Sequence, residues 1–135
     1  MVRNVTERCR REGLFNVRAE VRDVIDGGTG LADGTIDLAL LFNILHHDRP
    51  LVLLRETRRV LRPGGRLAII HWNYDPATPR GPALSIRPRP EQCLAWGKEA
   101  GFIFLPHEQF DLKPYHYGLI FHRSPVALRW GHTGG

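Results

Sequence analysis

Residues 33–72 read DGTIDLALLFNILHHDRPLVLLRETRRVLRPGGRLAIIHW: two apolar runs on either side of an amphipathic segment. The first run, 36–42, is broken only by Asp37. Its length suits a buried strand or a piece of core helix. Asp33-Gly34 in front is turn chemistry and Thr35-Ile36 is β-branched, so the run reads as a strand. Asp48 offers an N-cap for the helix that follows, with Pro50 in its first turn, where a missing N–H costs nothing. Leu53, Leu54, Thr57, Val60 and Leu61 form one stripe of that helix, while Arg55, Glu56, Arg59 and Arg62 lie outside it. Arg62-Pro63-Gly64-Gly65 stops the helix, and 67–72 is a second strand. Strand, helix, strand with a tight return is a βαβ unit, which places a ligand at the carboxyl ends of parallel strands.

Working outward, residues 2–12 read as a short helix with Val5 and Cys9 on its inner face and Gly13 at its C-terminal cap. Residues 17–22 alternate, with Val17, Ala19 and Val21 on one side, and are expected to form a strand. Residues 25–34 hold too many glycines for a regular element. Asp26-Gly27-Gly28-Thr29-Gly30 resembles a nucleotide-cradling turn, but such a turn needs a helix directly behind it. Five residues separate Gly30 from the next strand, so that reading is rejected. Residues 73–90 carry five of the ten prolines, a long loop where a substrate lid would hang. A helix is expected over 91–100 with Cys93, Trp96, Gly97 and Ala100 on one face. An antiparallel pair follows, 102–110 and 115–122. Residues 1–123 are thus read as one domain and 124–135 as a flexible tail.

At 135 residues the chain can bury a sizeable core, and 42% hydrophobic content argues against disorder. No apolar run is of membrane-spanning length and the charged start is no secretory signal, so no membrane role and a cytoplasmic setting are expected. Cys9 and Cys93 stand alone without CxxC spacing; structural thiols are favoured over a metal site or disulfide. The net charge of +5 rests on scattered arginines, with only two lysines. No like-charge block is interleaved with aromatics, so solvated helix faces are favoured over a nucleic-acid surface.

The order of elements, with Ile36-Asp37-Leu38-Ala39, Phe42-Asn43-Ile44-Leu45-His46-His47, Arg58 through Leu67 (RRVLRPGGRL) and Glu99-Ala100-Gly101-Phe102, resembles the C-terminal two-thirds of a class I S-adenosylmethionine-dependent methyltransferase. The resemblance, of the ubiquinone/menaquinone-biosynthesis type, covers about residues 8–123. It implies an α/β fold, a Rossmann-like three-layer sandwich with a mostly parallel sheet ending in an antiparallel hairpin strand. S-adenosyl-L-methionine is the implied cofactor, and methyl transfer to a small-molecule acceptor the implied reaction. It gives Asp23 a contact to the adenine amino group, Val24 a backbone N–H to the adenine ring, and Phe42 and Asn43 the border of the methionine part. For Asp23 a turn-capping role stands beside this one; for Asn43 the alternative is a strand-end bond to backbone. The family's first two strands, its glycine-rich loop and its ribose-binding acid have no counterpart in the sequence. Their loss exposes two inner strand edges, 17–22 and 36–42, expected to pair directly or to recruit a homodimer mate or partner chain.

Methyl transfer is an in-line displacement, so a base is needed only where the acceptor must lose a proton. His46, His47, His71 and Tyr74 lie beyond the strand ends and are the candidate substrate residues. For His46 and His47 capping and packing are the favoured alternative, and adjacent histidines lack the spacing of a helical zinc pair. Arg80, Arg87 and Arg89 could meet an anionic acceptor, though solvated charges are favoured. The alternatives to an enzyme are a non-catalytic remnant or partner subunit and, less favoured, a basic nucleic-acid-binding module.

Overall fold

The computed structural model describes residues 1–125, which fall into two compact units divided after Gly30. In the first, α1 spans Val2–Arg11 with Cys9 buried. Gly13 ends it at φ 68°, and the Leu14 N–H reaches back to the Cys9 carbonyl at 2.8 Å. A left-handed residue there closes the last turn without a Cβ clash. Residues 17–22 form no strand, contrary to the alternation in the sequence, and Val21 is 84% exposed. Alternation only sorts side chains to two faces; a strand also needs a ladder partner for its backbone groups, and no strand among the described residues supplies one. A single-turn helix, α2 (Val24–Gly27), stands in what the composition suggested was loop. No strand precedes its glycines among the described residues.

The second unit holds the βαβ motif. The strand β1 is Ile36–Phe42, α3 is Pro50–Val60 and β2 is Leu61–Trp72. Arg49, not Asp48, is the N-cap of α3 and makes no side-chain capping bond; Pro50 sits in the first turn as expected. The helix ends where it does because Pro63 disfavours helical backbone at Arg62. Its last carbonyls are met by the guanidinium of Arg123, which donates to the Arg58 carbonyl at 2.9 Å and to that of Leu61. The chain enters β2 at Leu61 rather than at Leu67, because the Pro-Gly-Gly segment itself runs alongside β1. At Gly65 a Cβ would lie 3.2 Å from the Asp37 carbonyl oxygen, so a larger residue would push the strands apart at the register shift after Ile36.

The sheet runs β1-β2-β4-β3, with β3 at Ile103–Leu112 and β4 at His116–His122. Pairing of β1 with β2 is parallel, and β4 is antiparallel to both β2 and β3. Three strands therefore share one direction and β4 is reversed, the mostly parallel α/β arrangement expected. Pro106 falls in the edge strand β3, between the two paired stretches, where its missing N–H is tolerated. The last helix, α4 (Pro90–Glu99), packs with α3 and touches β3 and β4.

Directly opposed residues share a sheet face, so Leu67, Ile69 and His71 of β2 align with Phe121, Leu119 and Tyr117 of β4. All six are buried, as are Leu53, Leu54 and Val60 of α3 and Cys93 of α4. That face is the core. On the other face Leu38, Leu40 and Phe42 of β1 stay 47–55% exposed. Among the described residues the outer edge of β1 pairs with no strand, and it does not find the expected partner in 17–22.

The loop after β2 is held by Arg87, which is buried rather than solvated as its neighbours in sequence suggest. Its guanidinium donates to the carbonyls of Asn73 (2.9 Å), Arg80 (3.4 Å) and Pro82, and to the Thr78 hydroxyl (2.6 Å). Removing it strands several carbonyls at once. Arg87→Met, which keeps the apolar stem, is expected to cost about 1–3 kcal/mol and to expose residues 73–90 to limited proteolysis. An unchanged cleavage pattern would remove Arg87 from this role. The expected C-terminal tail lies, from residue 126 on, outside the described residues.

Candidate active site at the strand ends

The carboxyl ends of β1 and β2 lie side by side, with Phe42 opposite Ile70 in the ladder. Asn43 continues the ladder by one bond, its N–H donating to the Ile70 carbonyl at 2.7 Å, and then turns the chain at φ 57°. Asparagine tolerates this left-handed backbone better than most residues. The turn throws Leu45 into the core, where it is fully buried, and brings His46 back over the end of β2. The His46 and His71 rings meet edge to face at 5.6 Å, and His47 stacks on the outside of His46 at 5.2 Å.

This cluster holds unpartnered polar atoms. Asn43 Oδ1, His46 Nδ1 and both ring nitrogens of His71 are buried without a hydrogen-bond partner in the protein. Among the described residues these are the buried side-chain nitrogens and oxygens in that condition. Buried polar groups are ordinarily satisfied, so these four atoms at the ends of β1 and β2 are hydrogen-bonding capacity that the protein itself leaves unspent. Burial pushes the His71 imidazole from its ordinary 6.5 down to about 4, and the charges of His46, Arg87 and His116 push the same way. A backbone group of Trp72 acts the other way, although neither ring nitrogen makes a hydrogen bond. His46 is lowered too, by burial first and by His47 second.

Behind His71 the wall is tied by hydrogen bonds. Tyr117 stacks on it at 6.4 Å and donates its hydroxyl to the Pro88 carbonyl at 2.9 Å, with Cys93 Sγ 3.3 Å away. Burial raises the Cys93 thiol to about 11 and lifts Tyr117 as well, so both stay protonated at neutral pH. Neither residue could be assigned this role from the sequence, since the contact joins α4 to β4 across 24 positions.

The structure therefore gathers Asn43, His46, His47 and His71. Tyr74 stands apart on the loop, its ring 4.2 Å from the Arg89 guanidinium carbon, and is 42% exposed. Phe42 turns its side chain to the open face of the sheet, 47% exposed. In the first unit Asp23 is the N-cap of α2, its carboxylate accepting from the Asp26 N–H at 3.2 Å, and Val24 is the first helical residue. Among the described residues no group of three or more His, Cys, Asp or Glu is placed to hold a metal ion. No helix among them is long and apolar enough to cross a membrane.

A βαβ unit whose strand ends carry the unsatisfied groups defines an α/β domain of the Rossmann-like, ligand-at-the-strand-end class. Residues 1–69 match the model of the family described as "Methyltransferase domain", and the chain belongs to that family. A solved S-adenosylmethionine-dependent methyltransferase from Aquifex aeolicus superposes with a TM-score of 0.78 at 24% identity, over 90% of this chain and 62% of that one. A putative type 11 methyltransferase from Sulfolobus solfataricus gives 0.67 at 27% identity, over 96% and 72%. The geranyl diphosphate C-methyltransferase of Streptomyces coelicolor A3(2), solved with Mg2+, geranyl diphosphate and S-adenosyl-L-homocysteine, gives 0.72 at 15% identity, over 90% and 60%. In sequence, an uncharacterized 37.1 kDa protein of a Streptomyces fradiae transposon is 40% identical over 80 residues. The chain spans 23% of that relative's length and 62% of the Aquifex protein's.

Proposed function

We propose that the chain supplies the strand-end wall of a site that transfers a methyl group from S-adenosylmethionine to a small-molecule acceptor. The observation that carries this reading is the set of buried, unpartnered polar atoms on Asn43, His46 and His71, at the strand ends of a chain in the methyltransferase family. These residues fit the methionine end of the cofactor. Its ammonium donates hydrogen bonds, and Asn43 Oδ1 is a buried acceptor that lacks a donor. Phe42 borders the same part. For the first unit by itself, the family resemblance assigns the Asp23 carboxylate, which keeps lone pairs beyond the one spent on Asp26, to an adenine amino group, and the Val24 N–H to an adenine ring. His46, His47 and His71 line the acceptor side, with Tyr74 at its rim. When bound, the cofactor supplies an electrophilic methyl on a positively charged sulfur. The protein's part is to orient the acceptor, exclude water and move one proton.

The reading also needs a partner. Among the described residues the outer edge of β1 pairs with no strand, and Leu38, Leu40 and Phe42 on its open face are half exposed, which is the composition of an interior parallel strand. A second copy or another chain covering that edge is part of the proposal.

A second reading, a chain that keeps the sheet without binding cofactor, is favoured by one observation. Among the described residues no strand leads through a glycine-rich turn into a helix. Titration calorimetry with S-adenosylhomocysteine separates the two. Saturable heat that Asn43→Ala abolishes supports the methyltransferase reading; a flat titration supports the second.

A further inference from the structure

Beyond Tyr117 the sheet carries a separate opening. Gln109 and Asp111 of β3 stand opposite Leu119 and Tyr117 of β4, and opposed residues share a face. Both side chains therefore lie on the face that forms the core at β4, yet at the end of β3 that face is open and they are exposed. Residues 105–108 of β3 stand against Ile120 alone of β4, and Pro106 in this bulge is one rim of a cavity of about 490 Å³. Pro90 at the start of α4 and Asn73 just past β2 line it too, and Tyr117 forms part of its wall. In the ladder Tyr117 sits between His71 and Asp111, so its ring parts the cavity from the strand-end histidines. We propose that this cavity binds a small organic cation, an ammonium group on a compact apolar body, with Asp111 as its counter-ion. The site stands apart from cofactor binding and does not depend on the methyl-transfer reading.

The lining decides the chemistry of the ligand. The volume lies in the range of small-molecule sites, about 300–1,000 Å³. Among the described residues Asp111 is the charged side chain that lines the cavity, and a carboxylate only accepts hydrogen bonds. The other nearby acid of β3, Glu108, is spent on His122 Nε2 at 2.5 Å. Lys113 comes within 3.9 Å of Asp111, but its side chain is 83% exposed, so the pair is weak and a ligand can displace it. Arg87, which reaches the Asn73 carbonyl, is taken up by the loop carbonyls. The Tyr117 hydroxyl donates to Pro88 and offers nothing to an anion. Besides burial and Cys93, the charge of Glu91 pushes that hydroxyl up, so the field at the wall is negative as well. An anion would thus meet a carboxylate without a cation to hold it. An ammonium donates to Asp111 and to the amide oxygens of Asn73 and Gln109, while Pro90 and Pro106 pack against the apolar body.

The test is amide NMR of the 15N-labelled full chain titrated with benzylammonium, and separately with benzoate and benzyl alcohol. Saturable shifts are expected with benzylammonium at the Asn73 and Gln109 side-chain amides and at the Asp111 backbone, with neither of the other probes matching them. Asp111→Asn, at an exposed position, keeps the shape and removes the charge; it should weaken benzylammonium binding about tenfold with the rest of the spectrum unchanged. Lys113→Gln removes the competing cation and should tighten binding, the opposite direction. Absence of a saturable shift, an equal response to benzoate or benzyl alcohol, binding that Asp111→Asn leaves unchanged, or weaker binding in Lys113→Gln would each overturn the proposal.

Discussion

Between pH 6.5 and pH 4 the fold is expected to lose about 3 kcal/mol through one side chain, His71. The imidazole is fully buried and its folded-state value lies near 4, against an ordinary 6.5. The sign follows from which state holds the proton. In that window the unfolded chain is protonated at this residue and the folded chain is not, so acid favours unfolding. The contribution is fully present above pH 6.5 and is lost as pH falls through the window to 4. Denaturant melts of the wild type and of His71→Phe at pH 7 and pH 4 isolate it. The wild type should show the larger drop, by about the stated amount, because phenylalanine fills similar space and cannot titrate. Equal drops would mean that His71 is not held neutral by burial.

The second large effect lies where α4 crosses β4. Phe121 is fully buried, with Phe102 and Phe104 5.9 and 5.6 Å from it between ring centres. Its ring fills the space left by Gly97, where a Cβ would fall 2.3 Å from a ring carbon. Phe121→Ala removes that ring from the central strand of the core and should cost about 3–5 kcal/mol. Gly97→Ala overpacks the same point at about 1–3 kcal/mol, set against a gain near 1 kcal/mol in helix propensity. The pair must couple. In a Phe121→Leu background, where the flat ring is gone, Gly97→Ala should cost less than it does alone. A double-mutant cycle in chemical denaturation reads this directly. Strict additivity would show that helix and strand do not meet as described.

Much of the second unit was legible in the sequence because its signals are local and agree with one another. The apolar run 36–42 behind its Asp-Gly turn, Pro50 in a first helical turn and the second apolar run 67–72 agree with one another, and together they leave little besides a βαβ unit. The hairpin of β3 and β4 was equally visible. What failed was whatever depends on a partner distant in sequence. Residues 17–22 alternate like a strand, yet alternation cannot supply the neighbouring strand that hydrogen bonding requires. Asp48 has the chemistry of a helix cap, but the chain turns one residue later, at Arg49.

The site was half legible. The strand-end rule placed Asn43, His46 and His71 at the ends of the two strands, without indicating that they are short of hydrogen-bond partners. That fact comes from packing, with Tyr117 stacked on His71 from a strand distant in sequence. Arg87 was misread for the same reason. An arginine among prolines looks solvated until the loop folds its carbonyls around the guanidinium.

We propose that cofactor and acceptor meet at the ends of β1 and β2. The most direct measurement is amide NMR of the full chain titrated with S-adenosylhomocysteine. Saturable shifts are expected, concentrated at Phe42, Asn43 and Leu45 and at His71 and Trp72, together with the Asn43 side-chain amide. Shifts confined to β3 or to the outer face of α4, with those residues silent, would contradict it.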